Sequence, residues 1–344
     1  MRLAPNGPLL DEAGPDSDVV LSSRVRLARN LAGFPFVNKA TVAQRHQVIG
    51  LVQRVGLEST LGTGTVWVNL MHATSKERQL LVERHLISRQ LAEGDTPRAV
   101  AISPDERISV MINEEDHLRL QVLLPGQQLE DALSRANSVD DAVETKLDVS
   151  FSRRWGYLTA CPTNVGCGIR LSVMLHLPAL RMTGEIERVR RAAKELHLAV
   201  RGFYGEGSDS TGDLYQVSNQ VTLGVSENDL LEQFCQRIVP RLIDYERQAR
   251  RLLEQSPTTL DDRLHRAMGV LRSARLMGID EAMKLLSRIR LGACLGRLPD
   301  VDLRTVRRLL LQAQPAHLQL AMGSELGEDQ LREARATMIR EALT

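Results

Sequence analysis

The sequence predicts an α+β chain followed by a helical one. Through about residue 254, short β-branched runs and helical segments succeed one another without regular βα alternation. After about residue 255 the strand signals vanish and only apolar-periodic helical segments remain. The composition suits this: 344 residues, 43% hydrophobic and 25% charged, can build one large or two modest cores.

Residues 1–17 are rich in Pro, Gly and Asp and read as an irregular arm. DVVLSSRVRLAR (18–29) follows as a strand, with Ser22, Arg24 and Arg26 on one parity and Leu21, Val25 and Leu27 on the other. Residues 41–56 and 74–91 have helical spacing, the second with a stripe of Leu80, Leu81, Leu86 and Ile87. GTVWVNLM (64–71), RAVAIS (98–103) and RISVMIN (107–113) read as strands. HLRLQVLLPG (117–126) alternates until its Pro-Gly stop, and residues 127–146 read as a helix. WGYLTACPTNVGCG (155–168) predicts a strand ending in a Pro/Asn/Gly loop, and IRLSVMLHLPAL (169–180) alternates strictly to Pro178. A helix is expected at 183–196, then a glycine-rich loop, RGFYGEGSDSTGD (201–213), and a strand, LYQVSNQVTL (214–223). Ser226 and Asp229 form a capping box that opens a helix through the 240s. Beyond 255, Thr259, Asp280 and Asp302 are candidate helix caps, and a last helix is expected over 328–343. The expected domains are therefore 1–17, 18–254 and 255–344.

Several classes fall away. With 44 Lys+Arg against 43 Asp+Glu the net charge is +1, which gives no support to bulk nucleic-acid binding. The 3% aromatic content argues against base-stacking platforms. No stretch nears the ~20 apolar residues of a membrane span. The N-terminus lacks the apolar segment of a secretory signal. Four Cys without a C-x-x-C pair suggest free thiols in a reducing cytoplasm and no dedicated metal site. G-K-[ST], H-R-D, D-F-G, H-E-x-x-H, G-x-S-x-G and G-x-G-x-x-G are all missing.

The chemistry lies in where the arginines sit. Arg24 and Arg26 share one strand face, Arg119 and Arg170 stand on the polar faces of two others, and Arg201 opens the glycine-rich loop. If those faces align on one open side of a sheet, the guanidinium forks would hold a polyphosphate without a phosphate loop. For any one of them, a solvated strand face in an Arg-rich chain is the plainer reading. Carboxylates accompany them: Glu114, Glu115 and Asp116 precede His117, and Glu206 lies in the loop after Arg201. Carboxylates cannot help hold a trianion, but they would clamp a guanidinium and accept its proton. Cys161, at a strand end, reads from spacing alone as a small buried hydrophobe, although a thiolate would be favoured among arginines. His85 falls on a predicted helix, where a structural role is the commoner one.

SSRVR (22–26), NEEDHLR (113–119), CPTNVGCGIRLSVMLHLP (161–178), RGFYGEGSD (201–209) and YQVSN (215–219) together resemble the phosphagen, or guanidino, kinase family. The resemblance spans about residues 18–245, and Cys-Pro-Thr-Asn is its most specific segment. Within the family the chain is most similar to the bacterial protein-arginine kinases. Small-molecule members carry a long helical domain before SSRVR, lack a helical C-terminal domain, and have a second Arg at the place of Tyr204.

The resemblance implies a large antiparallel sheet flanked by helices with a small helical domain after it, and transfer of the γ-phosphoryl of ATP, with Mg²⁺, to arginine side chains. It assigns ATP to Arg24, Arg26, Arg119, Arg170 and Arg201, to Ser23 and Val25, to Leu171, Ser172, Val173 and Met174, to His85, and to Gly202, Phe203, Tyr204 and Gly205. It assigns catalysis to Glu115 and Glu206, with Cys161 as the reactive cysteine. It implies protein substrates with exposed arginine, an activator of the McsA type, a class-three stress repressor, delivery to a ClpC protease complex, and a homodimer. Two departures stand out. Cys167 replaces a usual Thr, and the family's C-terminal R-D-x-x-R-A is here Leu331-Arg332-Glu333-Ala334-Arg335-Ala336, which keeps only the last Arg-Ala. The alternatives are a kinase of a small guanidino compound and a catalytically inactive binding regulator.

Overall fold

Eight short runs rich in apolar residues give eight strands, each antiparallel to its neighbours. The computed structural model describes residue 7 and residues 12–202 and 211–344. Within them lie β1 (Val20–Arg29), β2 (Val66–Asn69), β3 (Ala99–Ile102), β4 (Ile108–Ile112), β5 (Leu118–Pro125), β8 (Ile169–His176), β9 (Leu198–Arg201) and β10 (Leu214–Asn219). Their order in the sheet is β2-β3-β4-β5-β1-β8-β10-β9. A separate ribbon pairs β6 (Phe151–Ser152) with β7 (Gly156–Tyr157).

One face of the sheet is continuously apolar. Val25 and Leu27 of β1, Leu120 and Val122 of β5, Leu171 and Val173 of β8 and Val217 of β10 pack in one cluster beneath helices. These helices are α1 (Val42–Val55), α5 (Leu129–Glu144), α7 (Ile186–Glu195) and α9 (Val239–Glu254). Burying one such Val or Leu side chain contributes roughly 1.5–3 kcal/mol, so period-2 alternation holds the register firmly. Among the described residues, the other face is covered at its two ends. At the β2–β4 end, α3 (Ser75–Glu83) and α4 (Arg89–Glu93) pack on Val68, Val100 and Met111. At the β8–β10 end, α10 (Pro257–Ser273), α11 (Ile279–Cys294), α12 (Leu303–Gln312) and α14 (Glu328–Ala342) form a second core that takes in Met174 and Leu214, and α13 (Pro315–Met322) packs on α3. Between the two covers the polar side chains of β5, β1, β8 and β10 line a cleft.

Several expectations need correcting. The helix expected over 74–91 is broken into α3 and α4, because His85 adopts a left-handed backbone with φ 57°. The break turns Leu86 and Ile87 onto the sheet, and Ser88 then caps α4 by accepting from Leu91 N at 3.0 Å. Leu21 does not join Val25 and Leu27: the register shifts between Val20 and Ser22, and Leu21 turns to the C-terminal helices. The strand expected from 155 shrinks to two residues, and β9, absent from the sequence reading, pairs with β10 alone. Thr259 caps nothing, since α10 starts at Pro257 behind Ser256. Asp280 lies in the first turn of α11 behind Gly278, whereas Asp302 does cap α12. Ahead of α9, residues Gln233–Ile238 form a π turn, continuous with α8 (Glu227–Glu232). Pro240 has no N–H to give to that turn.

Candidate active site

The cleft of about 660 Å³ between the two covers is lined by Arg24, Arg26, Arg119, Arg170 and Arg201, together with His85, Glu114, Glu115 and Cys161. Strand register explains the gathering. Arg26 stands directly opposite Arg170 across β1 and β8, Arg24 opposite Ser172, and Arg201 opposite Gln216 across β9 and β10. Like charges directly opposite destabilise a sheet, a cost that a bound anion would offset.

Among the described residues, Arg24 and Arg170 donate to neutral side chains. Arg24 donates through Nε to Ser172 Oγ (3.3 Å) and through Nη2 to Gln216 Oε1 (2.7 Å). Arg170 donates to Ser218 Oγ from Nη2 (3.1 Å) and Nε (3.3 Å). Arg26 Nε is buried without a hydrogen-bond partner among the described residues. Burial and the charges of Arg119, Arg170 and Arg201 push Arg24 down to about 9. Burial, then Arg24, Arg119 and Arg170, press Arg26 well below its ordinary value against the pull of Glu114.

Arg119 is the exception. Its Nη1 donates to both oxygens of Glu114, a carboxylate only 1% exposed, which also accepts from Ser88 Oγ and from Glu115 N (3.1 Å). Burial disfavours the charge of Arg119, but Glu114 and Glu115 outweigh it and raise its basicity. Burial likewise opposes ionisation of Glu114, and Arg119, Ser88 and the Glu115 amide more than compensate.

Glu115 differs from Glu114. Its nearest cation is Arg119 Nη2, 3.8 Å away, and its side chain is 30% exposed. Partial burial, with Asp116 and Glu114 close by, raises its pKa despite Arg119. The turn that carries it is fixed by Asp116, whose Oδ1 accepts from Asn30 Nδ2 (2.6 Å) and Ala160 N (2.7 Å). The second bond ties the Cys161 segment to the turn. Cys161 Sγ also lies 3.0 Å from Thr163 Oγ1. His117 accepts at Nδ1 from Leu31 N (3.0 Å) and so donates from Nε2 to Pro35 O (3.0 Å), a neutral tautomer behind the same turn.

His85 projects into the cleft from the α3–α4 break, held by Gln121 Nε2 donating to its carbonyl at 2.6 Å. Burial and the charge of Arg24 push its pKa down to about 3, so the ring is neutral. Next to the cleft, and sharing Arg24, His85 and Gln216 with it, lies a recess that Ser172, Met174 and Leu311 also line.

Not every residue singled out in the sequence reaches the cleft. Ser23 is fully buried on the opposite face, where its hydroxyl donates to Gly126 O at 2.8 Å. The side chains of Val25, Leu171 and Val173 lie in the core under that face. Period-2 alternation makes this unavoidable once Arg24, Arg26 and Arg170 face the cleft. Gly202 is buried beside β9. Phe203, Tyr204, Gly205 and Glu206 lie outside the described residues. The sequence reading missed Glu114 as the partner of Arg119, Gln216 and Ser218 as arginine acceptors, and Ser88. Parity with Arg201's neighbour strand would have marked Gln216 and Ser218; nothing local marks Ser88.

A cationic cleft on one strand face, with carboxylates at its edge, belongs to phosphoryl transfer onto a basic group. Residues 53–249 match the family model of the ATP:guanido phosphotransferase C-terminal catalytic domain, and the chain belongs to that family. Residues 257–344 match the protein-arginine kinase McsB C-terminal domain. A protein-arginine kinase of Halalkalibacterium halodurans is 48% identical over 98% of this chain and 95% of its own length. One from Moorella thermoacetica is 44% identical over 100% and 99%. Within the family, the chain is a protein-arginine kinase by this kinship and uses ATP. Among solved structures, a duplicated taurocyamine kinase from Schistosoma mansoni is similar with TM-score 0.54 at 26% identity, over 68% of this chain and 34% of that one. A lombricine kinase shares the fold with TM-score 0.58 at 23% identity, over 72% and 69%.

Proposed function

We propose that the cleft binds ATP with its phosphates on Arg24, Arg26, Arg119, Arg170 and Arg201, and passes the γ-phosphoryl to an arginine side chain of a protein substrate. The observation that carries this is the register pair Arg26–Arg170, like charges facing each other with Arg24 beside them. The base of ATP would lie toward His85, Ser172 and Met174. A neutral His85 suits an uncharged purine better than an imidazolium would.

Glu115 takes the substrate guanidinium, and Glu206 is the second carboxylate on the strength of the family pattern. As the substrate nitrogen forms its bond to phosphorus, the bond from γ-phosphorus to the bridging oxygen breaks. ADP leaves with that oxygen's electrons, and a guanidinium proton passes to a carboxylate. The arginines stabilise the charge that develops on the phosphoryl oxygens. Cys161, which lines the cleft together with Glu115, would help orient the incoming guanidinium.

Mg²⁺ fits this site as an ion carried on the nucleotide. Glu114 is engaged by Arg119, and among the described residues no three metal-ligating side chains converge. Phosphate oxygens and water would then hold it, and it would supply further charge neutralisation. The domain limits 18–254 and 255–344, a cytoplasmic location, a McsA-type activator, a class-three stress repressor and a ClpC-type protease partner are part of this proposal. Four free thiols support the location, and no helix among the described residues is long and apolar enough to cross a membrane. The test is mass spectrometry of an arginine-containing protein incubated with the enzyme and Mg-ATP. Acid-labile phosphate on arginine is expected; phosphate found only on Ser, Thr or Tyr overturns the proposal.

A further inference from the structure

The α3–α4 break that presents His85 is bolted to a residue more than 200 positions away. Glu83, 0% exposed at the end of α3, accepts from Ala316 N (2.9 Å) and His317 N (3.1 Å) at the start of α13. Its Oε2 lies 2.8 Å from His317 Nδ1. Arg84, the next residue, donates from Nε to His317 Nε2 (3.2 Å) and from Nη1 to Glu106 Oε1 (2.8 Å). With Nδ1 donating and Nε2 accepting, the His317 ring spans Glu83 and Arg84, the two residues that lead into His85. A non-glycine residue at positive φ is strained and persists only where its surroundings over-determine it. Here Gln121 holds the His85 carbonyl, Ser88 ties the far side of the turn to Glu114, and His317 fixes the near side. Leu310 and Leu311 of the neighbouring α12 meanwhile line the recess beside His85.

We propose that the C-terminal helices complete the nucleotide site, with His317 as a positioning residue for the His85 turn and Leu311 as part of the wall that receives the nucleoside. This rests on the reading of the cleft as an ATP site. It makes the nucleoside end of that site depend on residues 303–322, while the arginines, seated on the sheet, do not.

The test uses the full chain and two probes: MgADP, which engages both ends of the site, and inorganic tripolyphosphate, which engages the arginines alone. His317→Ala is expected to weaken MgADP binding about tenfold by calorimetry and to leave tripolyphosphate binding within twofold. KM for ATP should rise by a similar factor, with a smaller fall in kcat. His317→Gln, which keeps one donor and one acceptor, should restore most of the MgADP affinity. A general loss of structure would weaken both probes alike. If His317→Ala does not fold, Leu311→Ala, which leaves the His317 contacts intact, carries the same expectation for the two probes. Equal binding of MgADP by wild type and folded variants, or parallel loss of both probes, overturns the proposal. Failure of wild type itself to bind either probe would instead overturn the ATP reading.

Discussion

Replacing Glu114 with Gln isolates the electrostatic logic of the cleft. The carboxylate is 1% exposed and the guanidinium of Arg119 14% exposed, so the pair is shielded from solvent screening. Removing one partner of a buried pair costs about 3–5 kcal/mol, because the other charge is left uncompensated. Glutamine still accepts one hydrogen bond, which places the expected loss at the lower end, about 3 kcal/mol. With a urea m-value of about 3 kcal/mol/M, the unfolding midpoint should fall by about 1 M. Glu114 has its pKa lowered, so its stabilising effect is fully present above the ordinary value of 4.5 and is lost as pH falls through the lower folded value. The deficit of Glu114→Gln should therefore shrink in acid. MgADP should protect the variant more than the wild type, since phosphates then supply the negative charge that Arg119 has lost. Equal midpoints at pH 7 without nucleotide, or equal protection by MgADP, would refute the reasoning.

Removing Arg24 or Arg170 as Ala should lower kcat/KM for ATP about 10²–10³-fold, as loss of a preorganised charge does elsewhere, measured by ADP release. Glu115→Gln should cut kcat by at least about 10². Because Glu115 must be ionised to take a proton and its pKa is raised above 4.5, wild-type kcat/KM should fall on the acid side at a pH above that value. His85, pushed down to about 3, should stay neutral, so MgADP affinity measured from pH 5.5 to 8 should show no step near 6.5 that His85→Gln removes. Arg29→Met should destabilise the fold by about 3 kcal/mol in urea titration, since it strands Asp140, which Arg29 Nη2 contacts at 2.6 Å while its guanidinium covers the Tyr157 ring.

What the sequence showed and what it hid divide along contact range. The strands were legible because alternation is local: Arg24 and Arg26 share parity with each other and oppose Val25 and Leu27 whatever the rest of the chain does. The same alternation shows that the family stretches around SSRVR and RLSVM cannot send every residue to the nucleotide, so Ser23, Val25, Leu171 and Val173 fall on the core side. The break at His85 was hidden, because Leu80, Leu81, Leu86 and Ile87 satisfy helical spacing and only burial of Leu86 and Ile87 against β3 and β4 interrupts it. β9 was hidden because four residues at a sheet edge carry too short a pattern. The bonds from Glu83 to α13 have no local signal at all, and Glu114 could not be told from Glu115 until Arg119 was seen to select one of them.

That selection resolves a conflict built into the site. A cleft cationic enough to grip ATP repels the guanidinium that must approach it. Adding carboxylates at random would neutralise the arginines and weaken nucleotide binding. The acidic turn solves this by spending its charges separately. Glu114 is buried on Arg119, and Asp116 is buried against Asn30 and the Ala160 amide. Both are committed to structure, and their negative charge adds to the effect of partial burial in raising the pKa of the third, Glu115. Glu115 is also the most exposed of the three side chains, at 30%. It is thus the carboxylate free to meet a cation and, with its raised pKa, the one best able to hold a proton as that cation becomes neutral. If Glu114→Gln or Asp116→Asn shifted the acid limb of kcat/KM to lower pH, with Glu115 intact, this division of labour would be visible in the pH profile alone.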